Sequence, residues 1–310
     1  MNAHAHHVMT ALDGRRPPMA GDADALLRAS WIRSVTEHGL EPDRIIEPDV
    51  LTRSELLVRR APVEELSALS SPEIDRLYQR LIDHAEVVML TDAQGVVVHF
   101  RSAAEVVDRC SKLRVQPGSI WTEDRQGTTG VGLCLRAQRP LSVVMGEHFA
   151  TQLTGLSCTV APIFGAEGRL AGVLNVTSMQ NTNHALQAVL RELVASSARR
   201  IENLYFDRRH AKTRVLRLSR HDDFCDGAAE ARLALDDAGR IIDATPLAQR
   251  LFANASTQDS ASALVGRKLS AVAGVASMER LLEHQAPAIE APHGVVHIRV
   301  SNPVRRTAVT

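Results

Sequence analysis

Cysteine is sparse and unpatterned. Cys110, Cys134, Cys158 and Cys225 lie far apart and no C-x-x-C pair occurs. This argues against a zinc site and against a disulfide framework, and suits a reducing cytoplasm. A long apolar run is also missing: no stretch of about eighteen apolar residues occurs, and the N-terminus has no charged-then-apolar signal pattern. The sequence therefore predicts a cytoplasmic protein with no membrane contact. Charge of one sign is absent as well. Lys plus Arg and Asp plus Glu both number 36, so no global basic field holds nucleic acid, and direct DNA binding by this chain is disfavoured. Residues 1–20 carry His4, His6 and His7 beside Gly and two prolines. They read as a disordered tail rather than a metal site.

What is present first catches the eye at "EDRQGTTGVGLCLRAQ" (123–138), where Gly127, Gly130 and Gly132 fall within six positions. A P-loop requires a Lys after its second glycine, and none follows. A dinucleotide fingerprint requires G-x-G-x-x-G directly after a buried strand. Here the order is G-x-x-G-x-G after a loop-like "QPGSIWTEDRQ". Both phosphate readings fail, and no cofactor is expected. What remains is a loop with Thr128 or Thr129 as N-cap of a short helix over 130–138, stopped by Pro140.

A chain of 310 residues is long enough for two modest domains. Leu27, Trp31 and Val35 recur every four residues within 22–38, an amphipathic helix. Residues 53–84 repeat the pattern in pieces, the last placing Ile74, Leu77 and Leu81 on one face with Ser70 or Ser71 as cap and Pro72 near its first turn. The texture changes at Glu86. "EVVMLTDAQGVVVHF" reads as a hairpin, and a helix follows over about 102–111. Strands are expected at 140–146, 157–164 and 169–178, the last two joined by the turn Gly165–Gly168. Strands joined by turns, with helices gathered on their faces, make an α+β fold around an antiparallel sheet. From Asn183 to Arg220 no Pro or Gly interrupts a helical pattern. Leu186, Leu190, Leu193, Ser197, Ile201 and Leu204 form a seam for dimerisation or for packing on the chain's own sheet. The basic residues from Arg199 to Arg220 read as a solvated helix face. A smaller unit begins near Ala228 with strand, turn, strand and short helix.

Together, "SWIRS" (30–34), "SIWTEDRQGTTGVG" (119–132), "GEHF" (146–149), "SCTVAPIFGAEGRLAGVLNVT" (157–177) and the long helix resemble the N-terminal half of the acetoin-regulator (AcoR-like) bacterial activators that work with sigma-54. The resemblance covers residues 22–300. It implies a GAF-like antiparallel sheet flanked by helices, a long connecting helix, then a smaller PAS-like α+β domain. The expected boundaries are 1–20 for the tail, 21–84 for a helical segment packing on the GAF domain, 85–182 for that domain, 183–225 for the signalling helix and linker, and 226–310 for the PAS-like domain. Thr129 and Val131 stand where the family usually has Asn and Ile. The family's ATPase domain and helix-turn-helix do not occur in this chain, which leaves open a complete protein and the sensory part of a longer activator.

A GAF-like pocket lies between sheet and covering loops, mostly apolar with a few polar anchors. By position and residue type, Phe100, Trp121, His148, Phe149, Cys158 and Asn175 are candidates to line or cap it. The motif loop Gly127, Thr128, Thr129, Gly130 and Gly132 lies alongside. Core packing competes for Trp121 and Phe149, a helix cap for His148, and an inert apolar role for Cys158. The resemblance implies a sensor for a small ketone, diol, alcohol or aromatic effector, regulating transcription as a homodimer through the 183–220 helix or through a separate ATPase-bearing activator. A thiol enzyme, such as a free methionine sulfoxide reductase using Cys110, Cys134 or Cys158, is the rival. It needs a low-pKa thiolate, and no cationic activator stands beside these positions. A ligand-free dimeric interaction module is the third reading.

Overall fold

The computed structural model describes residues 2–12, 22–83, 87–179, 184–221, 230–252, 264–273, 288–292 and 294–301. The chain divides into two units, one of Met1–Ile163 with Leu170–Ala198, the other of Phe164–Arg169 with Arg199–Thr310.

The first unit opens with helices α1 (Ala3–Leu12), α2 (Asp22–Thr36), α3 (Arg53–Arg60) and α4 (Glu64–Arg80). The hairpin β1 (Val87–Asp92) and β2 (Val97–Ser102) follows, then α5 (Val107–Lys112), α6 (Glu123–Gln126) and α7 (Gly130–Ala137). Strands β3 (Leu141–Val144), β4 (Ser157–Phe164) and β5 (Leu170–Ser178) complete a sheet of order β2-β1-β5-β4-β3. The pairs β1–β2, β1–β5 and β3–β4 are antiparallel. This is the α+β arrangement around an antiparallel sheet that the sequence pattern predicts, and the GAF-like layout that the resemblance implies. The hairpin turn forms because Asp92 Oδ1 accepts the backbone N–H groups of Gln94 and Val96 at 2.8 and 3.0 Å, an Asx-type closure.

Strand alternation divides the sheet's side chains between two layers. Val87, Met89, Val160 and Val173 share one core with Trp121, Val131, Leu133 and Cys134. The intervening Val88, Leu90, Leu174 and Val176 are equally buried, so both faces are covered. Helix α4 covers the second face against β1 and β2 with Leu66, Ile74, Leu77 and Tyr78. Each such side chain contributes roughly 1.5–3 kcal/mol on full burial. The first half of α8 (His184–Arg209) joins it: Thr159 donates to Gln187 Oε1 at 2.8 Å and Ser197 to Glu73 Oε1 at 2.7 Å.

Three expectations are corrected here. Helix α4 runs unbroken through Pro72 instead of starting at Ser70 or Ser71. Pro72 has no N–H to offer the preceding turn, while the Ser70 hydroxyl donates to the Leu66 carbonyl at 2.6 Å. Burial of Leu66, Ile74 and Leu77 along one face outweighs the lost bond. Residues 3–12 of the expected disordered tail form α1. Its polar composition hides a strip, Ala5, Val8 and Ala11, that is buried, with Val8 and Ala11 packed against Trp31 and Phe149. The remainder of that tail, 13–20, lies outside the described residues.

The third concerns the helix expected to reach Arg220. It ends at Arg209, and Arg214–Ser219 is strand β6. In the second unit β7 (Ala231–Leu235), β8 (Ile241–Ala244), α9 (Pro246–Phe252), α10 (Leu269–Ala273), β9 (Ala288–Ala291) and β10 (Gly294–Ser301) follow. The sheet order is β8-β7-β6-β10-β9. Its central strand β6 comes first in the chain, whereas the central β5 of the first sheet comes last. The partners β7 and β10 that hold β6 are far along the sequence, so local spacing cannot announce them. Along α8, Leu190, Ser197 and Ile201 are buried within the chain, while Val189 and Leu204 are 65% and 45% exposed. Much of the expected seam is thus taken up internally. Cys225 lies outside the described residues.

Candidate functional site

The glycine loop acquires a physical reading residue by residue. Gly127 caps α6 at φ 65°, ψ −152°, a region essentially closed to side-chain-bearing residues. A Cβ there would stand 2.5 Å from Phe149 Cδ1. At Gly130 a Cβ would stand 2.7 Å from Cys158 Cβ and 3.2 Å from Val160 Cγ1. These glycines therefore permit close packing onto Phe149 and β4. Between them, Thr129 caps α7, its Oγ1 accepting from Gly132 N at 3.1 Å.

Beneath the first turn of α7 lies a cavity of about 20 Å³, lined by Met89, Val115, Trp121, Thr129, Gly130, Val131, His148, Leu153, Leu156, Cys158, Asn175 and Thr177. Four of the six candidate residues meet there: Trp121, His148, Cys158 and Asn175. Thr129 and Gly130 of the motif loop join them. Phe100 and Phe149 do not. Phe100 sits opposite Met89 on β2 and packs at the edge of the core. Phe149 is fully buried on the other side of the loop among Val8, Ala11 and Trp31, so its role is to hold Gly127 and the N-terminal helices. Met89, Val115, Val131, Leu153, Leu156 and Thr177 also line it and are not among the candidates that the sequence offers. Period-two alternation from Asn175 is the signal for Thr177, whereas Met89 reaches the cavity through a cross-strand pairing with Asn175 that no local pattern announces.

The polar groups in this apolar wall are few and specific. Asn175 is fully buried on the central strand. Its Nδ2 donates to Thr177 Oγ1 at 2.9 Å, while its Oδ1 has no hydrogen-bond partner. The Cys158 thiol stands 3.5 Å from Thr177 Oγ1, and burial pushes its pKa up to about 11. Burial likewise raises the Cys134 thiol, which contacts the Arg139 carbonyl. His148 is driven down to about 4 by burial, with His4 adding to the effect. It is therefore neutral near pH 7. Its Nδ1 lies 3.1 Å from the Met145 carbonyl, which assigns the proton to Nδ1 and leaves Nε2 as an acceptor.

A polar latch holds the loop from outside. Arg33 donates two hydrogen bonds to Glu123 at 2.6 and 2.8 Å, Ser30 donates a third at 2.6 Å, and Ser30 also meets Thr128 Oγ1 at 2.7 Å. Burial pushes the Glu123 carboxyl up, but the Arg33 and Ser30 bonds outweigh it and hold the group below the usual carboxylate range. Helix α2 is thereby fastened to the residues that roof the cavity. Among the described residues no group of three His, Cys, Asp or Glu side chains converges as metal ligands. No described helix is long and apolar enough to cross a membrane.

Comparison with known proteins agrees with this architecture. The chain is 31% identical over 220 residues to the acetoin catabolism regulatory protein of Cupriavidus necator, covering 71% of this chain and 33% of that protein. It is 30% identical over 172 residues to the propane 2-monooxygenase operon transcriptional activator MimR of Mycolicibacterium smegmatis, covering 54% and 28%. The chain thus spans about a third or less of the length of these curated relatives. Its fold matches the E. coli DhaR(N)–DhaL complex structure with a TM-score of 0.53 at 14% identity, over 90% of this chain and 99% of that one. The family model described as "MimR, N-terminal domain" matches residues 14–203, more than half of the chain, and the chain belongs to that family.

Proposed function

We propose that this chain is the signal-receiving part of a cytoplasmic transcriptional activator, whose first unit binds a small uncharged effector in the cavity under α7. The observation that carries the reading is Asn175: a fully buried amide whose Oδ1 is unpartnered, lining a mostly apolar cavity that it shares with a neutral histidine. Buried polar atoms almost always find a partner, and an apolar cavity with a few convergent polar groups is the usual form of a small-molecule site. Helix α8 begins on the first unit and ends in the second, a PAS-like module in this reading. It carries the signal if effector binds one arrangement of the roof and helix better than another, since only differential affinity shifts a population. The state so selected is presented to a partner, a second copy or an ATPase-bearing activator. The raised Cys134 and Cys158 thiols favour binding over thiol catalysis.

The test is thermal unfolding of the chain against ketones, diols, aldehydes, alcohols and phenols. An effector at a hundredfold its Kd adds about 2.7 kcal/mol. The narrowness of the cavity favours a second reading, in which the first unit is a protein-interaction module and the site is filled by its own side chains. A null screen together with a stable complex with a protein partner would establish that alternative. Specific DNA binding or ATP hydrolysis by the purified chain would sink both.

A further inference from the structure

We infer that the effector is a compact, uncharged alcohol or diol, recognised because its hydroxyl donates a hydrogen bond to Asn175 Oδ1. This rests on the sensor reading above and narrows it.

The argument begins with what the cavity offers. Asn175 Nδ2 is engaged by Thr177 Oγ1, so the atom left over is Oδ1, an acceptor. The neutral His148 lines the same cavity, with its Nδ1 proton directed at the Met145 carbonyl. Thr129 Oγ1 already accepts from Gly132 N and retains its hydroxyl proton as a donor. An unpartnered acceptor in an apolar wall is complementary to a ligand O–H, which has a proton to give. A ketone or ether has no proton to give. Placed here it would set its own lone pairs against Asn175 Oδ1 and leave that atom unsatisfied, the situation in which sites built around a polar group discriminate most strongly.

Charge and size limit the ligand further. No Lys, Arg, Asp or Glu lines the cavity, so a carboxylate, phosphate or ammonium would be buried without a counter-charge. At about 20 Å³ the closed cavity holds about one water. An effector must lift the roof, Thr129 to Val131, and only a molecule of a few heavy atoms fits with a modest shift. That roof is what Glu123, Arg33, Ser30 and Thr128 fasten, so the chemistry sensed and the element moved adjoin each other.

The test is calorimetric titration of the full chain, with Trp121 emission as a second readout, using sec-butanol, vicinal butanediol, methyl ethyl ketone and methyl isopropyl ether. The four have nearly one size and differ in the proton they can donate. The expected result is binding of sec-butanol or the diol about tenfold or more tighter than the ketone or ether, with the ratio falling to about one in Asn175→Leu. A ketone bound as tightly as the alcohol, or tighter, would mean that the amide presents Nδ2 instead. That overturns the hydroxyl assignment while leaving the sensor reading intact. An alcohol preference that persists in Asn175→Leu would remove Asn175 as the anchor. Because the ratio is measured on the unaltered chain, a variant that fails to fold does not shield the proposal. Absence of binding by all four, together with a null screen over aldehydes and phenols, would overturn the sensor reading itself.

Discussion

Replacing Gly127 by alanine separates the packing account of the glycine loop from a general preference for flexibility. Two penalties add. At φ 65°, ψ −152° a non-glycine residue stores about 1–3 kcal/mol of backbone strain. The new Cβ, 2.5 Å from Phe149 Cδ1 and 2.6 Å from Cγ, meets a fully buried ring that cannot retreat, an overpacking penalty of about 1–3 kcal/mol more. The expected destabilisation is about 4 kcal/mol. Gly39→Ala is the control, because Gly39 also has a positive φ of 64° but has nothing within 4 Å of the place its Cβ would take; it should lose only about 1 kcal/mol. Urea unfolding followed by tryptophan emission is suited to the purpose. The two tryptophans, Trp31 and Trp121, both lie in the first unit, so the signal reports that unit alone. The double variant Gly127→Ala, Phe149→Leu should recover part of the loss. If Gly127→Ala is no worse than Gly39→Ala, or the second substitution recovers nothing, the loop is not held by this contact.

Three further outcomes follow from the buried charges. Arg33→Met should destabilise the first unit by about 3 kcal/mol, because it leaves the Glu123 carboxylate buried without its partner. Arg33→Met with Glu123→Leu should recover most of that, as a double-mutant cycle in the same urea assay would show. His148 titrates at about 4 in the folded chain against 6.5 unfolded; its stability contribution is complete above pH 6.5 and is lost as pH falls toward 4, in total about 3 kcal/mol. His148→Gln should flatten that acid limb, measured as the unfolding midpoint against pH. In the second unit, burial raises Glu202 to about 7, only partly offset by its bond from Phe164 N–H and by Arg250, Arg199 and Arg209. Its contribution is complete below pH 4.5 and lost as pH rises through 7, again about 3 kcal/mol. Calorimetry of Glu202→Gln should show the alkaline decline of that transition removed.

Much of the first unit was legible because its signals are local. The Asp92–Gly95 turn, the strand at 157–164 and the Thr129 cap each declare themselves within a few residues. Long-range compensation was not legible. Nothing near Pro72 shows that a helix will bury enough on both sides to continue through it. Nothing near Arg214 shows that strands beginning at Ala231 and Gly294 will close around it. The cavity divides in the same way. Asn175 stood out as a polar residue on a buried strand, whereas Val115, Leu153 and Leu156 line it through loops whose paths no periodicity encodes. Phe149 lies outside the cavity because an aromatic beside His148 can face either side of the loop, and α1 decides which.

The central claim is that a small molecule enters the space under α7. The most direct measurement is the tryptophan-detected unfolding midpoint with and without saturating vicinal butanediol, for the chain and for Gly130→Ala side by side. The Cβ added at Gly130 would point 2.7 Å from Cys158 Cβ and 3.8 Å from Asn175 Oδ1, into the place the effector needs. The account predicts a clear rise for the unaltered chain and none for the variant. A rise of equal size in both, or in neither, would contradict it.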